Sequence, residues 1–351
     1  MHKLDVFSDK GTYELFFNLQ NEELVKVIQA SKAIVIDANV LNLYGKSLKL
    51  SDAKVIEVVA LEDKKRPEEA LDICEALMLK GVTRHDTIVA IGGGITQDLV
   101  TFATSILFRG IKWIWLPTTL LAQADSCIGG KSSLNFKSWK NIIGNFYPPH
   151  KIYVQESFLE TLSDDDTRSG IGEILKVHLL SGEENAKKIM SLMQDVKQNM
   201  AFMIFNSLEL KNKILEIDPL DQGLRLKMNY GHSFGHALES ATHFGIPHGI
   251  AVTIGLDMAN YLAYKTQKLN EKEFLELHDV LQNNLKEKDF VAFEFSDFVD
   301  ALKKDKKNND REYRLIIPVA FGEVEVTKFA MDGFVEEILS EYIEKFYTKV
   351  M

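Results

Sequence analysis

Between Glu173 and His248 the chain carries three side chains of the kinds a catalytic zinc takes as ligands: a carboxylate at Glu173 and imidazoles at His232 and His248. Two ring nitrogens and one carboxylate leave an ion with open coordination positions, which separates a catalytic centre from a closed structural one. The stretches concerned read GEILK at 172–176, GLRLKMNYGHSFGHALE at 223–239 and IPHGIAV at 246–252. His232 and His236 stand four apart in a helical pattern, so both rings leave one face. A histidine pair at that spacing also occurs as polar surface or as a satisfied core pair, and the pattern alone leaves both readings open. The lysines, arginine and asparagine nearby are the groups an anionic sugar would need.

A second candidate is the run Gly92-Gly93-Gly94 between the strand-like DTIVAI and the helix-like ITQDLVTFATSILF. Three glycines there let backbone amides approach a pyrophosphate at a helix N-terminus, where the dipole favours negative charge. The run is not G-x-G-x-x-G, and a glycine-rich turn is also often only a tight turn. Asp37, at the end of KAIVID, reads either as a ribose-binding carboxylate or as a helix cap.

These residues must be positioned by a large framework. A chain of 351 residues with 46% hydrophobic content buries a sizeable core, and its length favours two domains. Short β-branched or aromatic runs at 32–37, 54–61, 86–91, 111–117 and 151–154 alternate with helical stretches, one opening at Pro67 and closing at Gly81. Strands alternating with helices predict a parallel sheet covered on both faces. Beyond about residue 160 the pattern turns to amphipathic helices, with a hairpin expected at YRLIIPVAFGEVEVT. The expected organisation is therefore an α/β Rossmann-like parallel-sheet domain over 1–160 and a mainly α-helical domain over 161–351.

Composition also excludes. A formal charge of −10 argues against a nucleic-acid or anionic-membrane surface, so any anion site must be built locally. The two cysteines, Cys74 and Cys127, make no disulfide framework, which points to a reducing compartment. No signal-like or membrane-length apolar run is evident, and a cytoplasmic enzyme is expected.

The order GGGITQDL, FRGIKWIWLPTTLLAQADSCIGGKSSLN, KNIIGNFYPP, FLETL, GEILK, DQGLRLKMNYGHSFGHALE, PHG and KDKK resembles the 3-dehydroquinate synthases and the wider sugar-phosphate cyclases. The resemblance runs from about residue 32 to 330. It implies an NAD-dependent lyase with a divalent metal, zinc or cobalt, and makes Glu173, His232 and His248 the metal ligands. It assigns cofactor binding to Asp37, Asn39, Glu62, Lys65, Gly93, Gly94, Ile95, Asp98, Thr118, Thr119, Leu121, Lys140, Phe158 and Thr161. It assigns catalytic and substrate roles to Asp125, Lys131, Asn141, Lys176, Lys211, Arg225, Asn229, His236 and one lysine of the DKK motif, Lys306. Arg109 matches an arginine that reaches a neighbouring subunit's site, which implies a homodimer.

The substrate implied is a phosphorylated sugar acid, 3-deoxy-D-arabino-heptulosonate 7-phosphate, converted to 3-dehydroquinate and phosphate. A cyclase acting on glucose 6-phosphate or sedoheptulose 7-phosphate, and a metal-dependent polyol dehydrogenase, are the alternatives. The chain departs from the usual pattern at Gln97 and Thr101, where glycine is common, at Pro148 for a glutamine, and at Ile250 for a glutamate after the HG pair.

Overall fold

Why the first half makes a sheet is plain from its strands, several of which are apolar throughout rather than alternating. In a computed structural model describing residues 2–137, 139–305 and 311–347, nine strands fall in this half. They are β1 (His2–Val6), β2 (Tyr13–Phe17), β3 (Ala33–Asp37), β4 (Val55–Val58), β5 (Thr87–Gly92), β6 (Lys112–Pro117), β7 (Leu134–Phe136), β8 (Trp139–Ile143) and β9 (Lys151–Val154). Seven form one sheet in the order β1-β2-β9-β6-β5-β3-β4, parallel except where β1 meets β2. Every residue of β3 is buried, as a central parallel strand covered on both faces requires. The intervening helices are α1 (Asn21–Ala30), α2 (Ala38–Tyr44), α3 (Pro67–Leu79) and α4 (Gly94–Ile106). Leu24, Ile28, Ile34, Ile36, Val89, Ile91 and Leu116 pack into one cluster between helices and sheet. Burying each such side chain contributes about 1.5–3 kcal/mol.

The expected strands at 32–37, 54–61, 86–91, 111–117 and 151–154 are β3, β4, β5, β6 and β9, and the Pro67 helix is α3. β1 and β2, which extend one edge of the sheet, and the separate β7–β8 hairpin are additions that the sequence reading did not contain.

The second half is helical: α5 (Asp164–Leu179), α6 (Glu183–Leu192), α7 (Val196–Ile217), α8 (His232–Ala241), α9 (His248–Lys265), α10 (Glu271–Gln282), α11 (Phe295–Lys303) and α12 (Phe334–Tyr342). A single hairpin, β10 (Glu312–Ala320) with β11 (Glu323–Ala330), lies where YRLIIPVAFGEVEVT predicts one. α9 is buried at every position from Gly249 to Ala263, so it is the central post of this half, with Thr253, Asp257 and Asn260 as the polar residues among them. Two compact units result. One runs to Leu162 and also contains Lys211–Leu220, and the other comprises Ser163–Leu210 and the chain from Asp221. Among the described residues no helix is long and apolar enough to cross a membrane.

Candidate metal and cofactor sites

In the helical unit, three helices must come unusually close for Glu173, His232 and His248 to meet. Glycines at the crossings permit it. A Cβ on Gly172 of α5 would overlap the carbonyl of Gly249, and one on Gly249 would overlap the carbonyl of Ser169. Likewise, a Cβ on Gly255 of α9 would overlap the carbonyl of Gly231, just before α8. The Ser169 hydroxyl accepts from the Gly249 amide at 2.9 Å, tying the start of α9 to α5. Backbone contact thus replaces side-chain contact at the points where the turns bearing Glu173, His232 and His248 cross.

The result is a cluster in which Glu173, His232 and His248 each bring one ligand atom within 4.8 Å of the others. Glu173 Oε1 lies 3.2 Å from His248 Nε2 and 3.8 Å from His232 Nε2. Its Oε2 lies 2.6 Å from Lys176 Nζ, one turn along α5. Burial alone would raise the Glu173 pKa, but the Lys176 ammonium and His248 hold it well below the usual carboxylate range. Glu173 is therefore an anion in the interior. His248 also faces two carboxylates: burial opposes its charged form, yet Glu173 and Glu239 raise its pKa to about 10. His232 Nδ1 lies 3.2 Å from the Tyr230 carbonyl, which leaves Nε2 turned toward Glu173. A hard carboxylate and two imidazoles with their Nε2 atoms converging suit a divalent ion of the zinc or cobalt kind.

His236, one turn after His232, has its ring 5.4 Å from that of His232 and stacked on His248 at 5.6 Å. With Glu239 and His248 it forms a second group whose ligand atoms also lie within 4.8 Å of one another. Arg225 is buried, and Asn229 donates to the Leu226 carbonyl at 3.1 Å; both sit on the short 3-10 stretch Leu224–Asn229. Lys306 lies outside the described residues.

In the α/β unit, Gly92 ends β5 and Gly94 begins α4. A Cβ on Gly93 would press on the Thr119 methyl at 2.8 Å, whereas one on Gly94 would meet nothing within 4 Å. Gly93 is thus required by packing, and Gly94 faces open space. No side chain caps α4, so its first amides are not taken by a capping group. That is the arrangement a phosphate needs. Gln97 exchanges two hydrogen bonds with Ser126, donating to its carbonyl at 2.7 Å and accepting from its hydroxyl at 2.8 Å. The bulk of Gln97 is absorbed by the neighbouring turn.

Asp37 is a helix cap: its Oδ1 accepts from the Asn39 and Val40 amides at 2.9 and 3.1 Å. Asp98 pairs with Lys65 at 2.8 Å and accepts from the Ser133 amide at 2.9 Å. Burial raises the Asp98 pKa despite Lys65. Glu62 meets Lys140 at 3.5 Å and accepts from Asn135 at 2.9 Å, while Asn135 in turn accepts from the Asn141 amide at 3.0 Å. Asn141 has φ 52°, so it is held in a left-handed conformation. The Thr161 hydroxyl lies 2.8 Å from that of Tyr44, and Tyr44 packs edge-on against Phe158 at 5.0 Å. Thr118 donates its amide to the Gly92 carbonyl at 2.8 Å, and Thr119 accepts from the Ala122 amide at 3.3 Å. Ile95, just after Gly94, and Leu121, just after Leu120, are half-buried. Lys211 Nζ reaches Asp125, 2.5 Å from its Oδ1 and 2.6 Å from its carbonyl. Lys131 Nζ lies 5.9 Å from the centre of the Phe146 ring. Arg109 is exposed and left-handed at φ 64°, following Phe108 at φ 52°.

Sequence reasoning did not single out Glu239, Tyr230, Asn135 or Tyr44. Glu239 stood in the quoted histidine motif, three residues after His236, and that spacing was the available signal. The Tyr230 contact is made by a backbone carbonyl, which no residue type announces.

Comparison with known proteins completes the picture. Residues 55–169 match the sequence family described as 3-dehydroquinate synthase N-terminal, and residues 170–308 match 3-dehydroquinate synthase C-terminal. A 3-dehydroquinate synthase of Campylobacter curvus is 33% identical over 346 residues, covering 97% of this chain and 99% of that protein. The solved structure of ValA, a 2-epi-5-epi-valiolone synthase from Streptomyces hygroscopicus with NAD+ and Zn2+ bound, superposes with a TM-score of 0.81 at 25% identity, covering 95% and 97% of the two chains. A 2-deoxy-scyllo-inosose synthase complexed with carbaglucose-6-phosphate, NAD+ and Co2+ gives 0.82 at 21% identity over 97% and 100%, a likeness of fold.

Proposed function

This chain belongs to the 3-dehydroquinate synthase family, and from that premise we propose that it converts 3-deoxy-D-arabino-heptulosonate 7-phosphate to 3-dehydroquinate and inorganic phosphate. The observation that carries the reading is the convergence of Glu173, His232 and His248 from α5, α8 and α9. These three would hold the divalent ion, and the turn at Gly93 and Gly94 would hold the phosphates of NAD. When bound, the ion polarises a secondary alcohol and NAD takes up and later returns its hydride, so the redox change cancels within one turnover.

The chain's own residues do the rest. Glu173, kept anionic by Lys176, would supply the charged oxygen of the donor set. His236, beside the ligand group but outside the ligand triad, handles the alcohol proton through a ring nitrogen. Oxidation of that alcohol acidifies the neighbouring carbon, and phosphate leaves by elimination. Lys131, Asn141 and Arg109 bind the phosphate, and fixed charge at this point is the expected electrostatic contribution to rate. The left-handed backbone of Asn141, braced by Asn135, sets where its side chain starts. Once the ketone has been reduced back to the alcohol, the sugar ring opens at its hemiketal carbon, and the aldol closure of the enol on the freed ketone needs the opened chain held in one conformation, which lowers the barrier by proximity. Arg225 is buried and takes the substrate carboxylate, since a guanidinium pairs a carboxylate with two parallel bonds. We also propose that the enzyme is a homodimer in which Arg109 serves the neighbouring site.

The test is incubation of the NAD- and zinc-loaded enzyme with heptulosonate 7-phosphate, glucose 6-phosphate and sedoheptulose 7-phosphate, recording phosphate release and product mass. Rapid turnover of the heptulosonate alone supports the reading. Faster turnover of either sugar lacking a carboxylate overturns it, because such a substrate has no carboxylate for Arg225 to recognise.

A further inference from the structure

Of the side chains around the proposed ion, Glu239 has no role in the reaction just described, yet its position is specific. It lies on α8 seven residues after His232 and three after His236, on the same helical face. Both its oxygens stand 3.3 Å from Nδ1 of His248, while Nε2 of the same ring stands 3.2 Å from Glu173. The imidazole is thus held across its two nitrogens by carboxylates from α8 and α5. Its own helix offers no such partner one turn in, where the buried residues are Gly249, Ile250, Ala251 and Val252.

We propose that Glu239 is a positioning residue for the metal ligand His248: it accepts a hydrogen bond from Nδ1–H, fixing the tautomer and the plane of the ring so that the Nε2 lone pair is left for the ion. The inference rests on the metal site proposed above. A neutral imidazole has one N–H and one lone pair, and the nitrogen that donates decides which one ligates. His232 is oriented in the same sense by the Tyr230 carbonyl at its Nδ1, and Glu173 by Lys176 at its Oε2. Each ligand is therefore held from behind, by a carbonyl, an ammonium and a carboxylate respectively. Outer partners of this kind typically change metal affinity 10- to 100-fold, roughly, when they are removed.

A rival arrangement uses the same atoms. His236, Glu239 and His248 are near enough to hold an ion of their own. Two ions sharing His248 would require its ring to lose both protons, whereas one ion and one hydrogen bond need only the neutral ring. The single-ion arrangement is the one we carry forward.

The experiment is a cobalt titration of metal-stripped wild type, Glu239→Gln and Glu239→Ala, with a chelating competitor and the visible cobalt spectrum as readout. All three proteins are expected to bind one ion. Glu239→Ala should bind it about 10- to 100-fold more weakly and with a shifted spectrum. Glu239→Gln should fall between, since its amide oxygen still accepts a hydrogen bond, and it decides the matter alone if the alanine variant does not fold. Wild-type affinity and spectrum in both folded variants overturns the proposal. Two ions in the wild type and one in Glu239→Ala also overturns it, making Glu239 itself a ligand. No ion in the wild type sinks instead the metal site on which the proposal stands.

Discussion

At the scale of single residues, the account turns on a buried carboxylate that is already compensated before any ion arrives. Glu173 is almost wholly enclosed, and an unpaired charge there would cost several kcal/mol, roughly. Lys176 and His248 supply the compensation, and His232 completes the donor set. Removing a ligand and removing a neighbour should therefore differ. His232→Ala is expected to lose the ion and the activity together, whereas His236→Ala should retain about one ion per chain and lose rate, by roughly 100-fold or more for a proton-handling group. Elemental analysis beside a rate assay checks this. Equal metal content in wild type and His232→Ala would contradict the ligand assignment.

At the scale of elements, ligand placement depends on how closely α5, α8 and α9 approach. Because a Cβ on Gly172 would overlap the Gly249 carbonyl, Gly172→Ala should push α5 off α9 and carry Glu173 away from His248. The expected cost is about 1–3 kcal/mol in denaturant unfolding, the range for overpacking, with weakened ion binding alongside. Unchanged stability and affinity would show that the crossing has slack. A second contact braces α9 from α10 and α12: Asp257 accepts from His278 at 2.8 Å, from Gln282 at 3.1 Å and from Tyr342 at 2.7 Å. Burial lowers the His278 pKa, but Asp257, aided by Asp279 and opposed by Lys345, raises it above the usual 6.5. A raised folded value means the pair's stabilisation is full below the unfolded pKa and fades as pH rises through the folded one. The melting-temperature gap between wild type and His278→Gln should then be wider near about pH 6 than near about pH 9, either side of an ordinary histidine pKa. A gap that does not change, or that widens with pH, contradicts this. The same scale explains what could be read from the sequence. β3, β5 and β6 are apolar runs with turn residues at their ends, and α3 has Pro67 at its first position and Gly81 shortly after its end, so their physics is local. β1 is mostly exposed and β7 spans three residues, leaving too little pattern to read, and both are defined by their partners. Asp37 carried two local meanings, and the structure displays the capping one. The pairing of Glu239 with His248 exists only once α8 and α9 have folded back on each other.

At the scale of the whole molecule, family membership and donor geometry together make a testable enzyme. If Arg109 serves a neighbouring site, inactive Arg109→Ala and inactive Lys131→Ala proteins should recover part of their activity when subunits exchange, up to about a quarter, since about half of the dimers become hybrids and one of the two sites in each hybrid regains both residues. No recovery after proven exchange would return Arg109 to its own subunit or remove it from the site. The central claim is that this chain uses NAD as a catalyst and not as a consumed oxidant, with phosphate elimination sandwiched between oxidation and reduction. The direct measurement follows inorganic phosphate and NADH in one reaction with heptulosonate 7-phosphate, using NAD at a small fraction of the substrate. The account requires phosphate to accumulate far beyond the NAD supplied, with 3-dehydroquinate as product and no lasting NADH. NADH rising in step with substrate loss, with no phosphate released, would contradict it and make the protein a polyol dehydrogenase built on this fold.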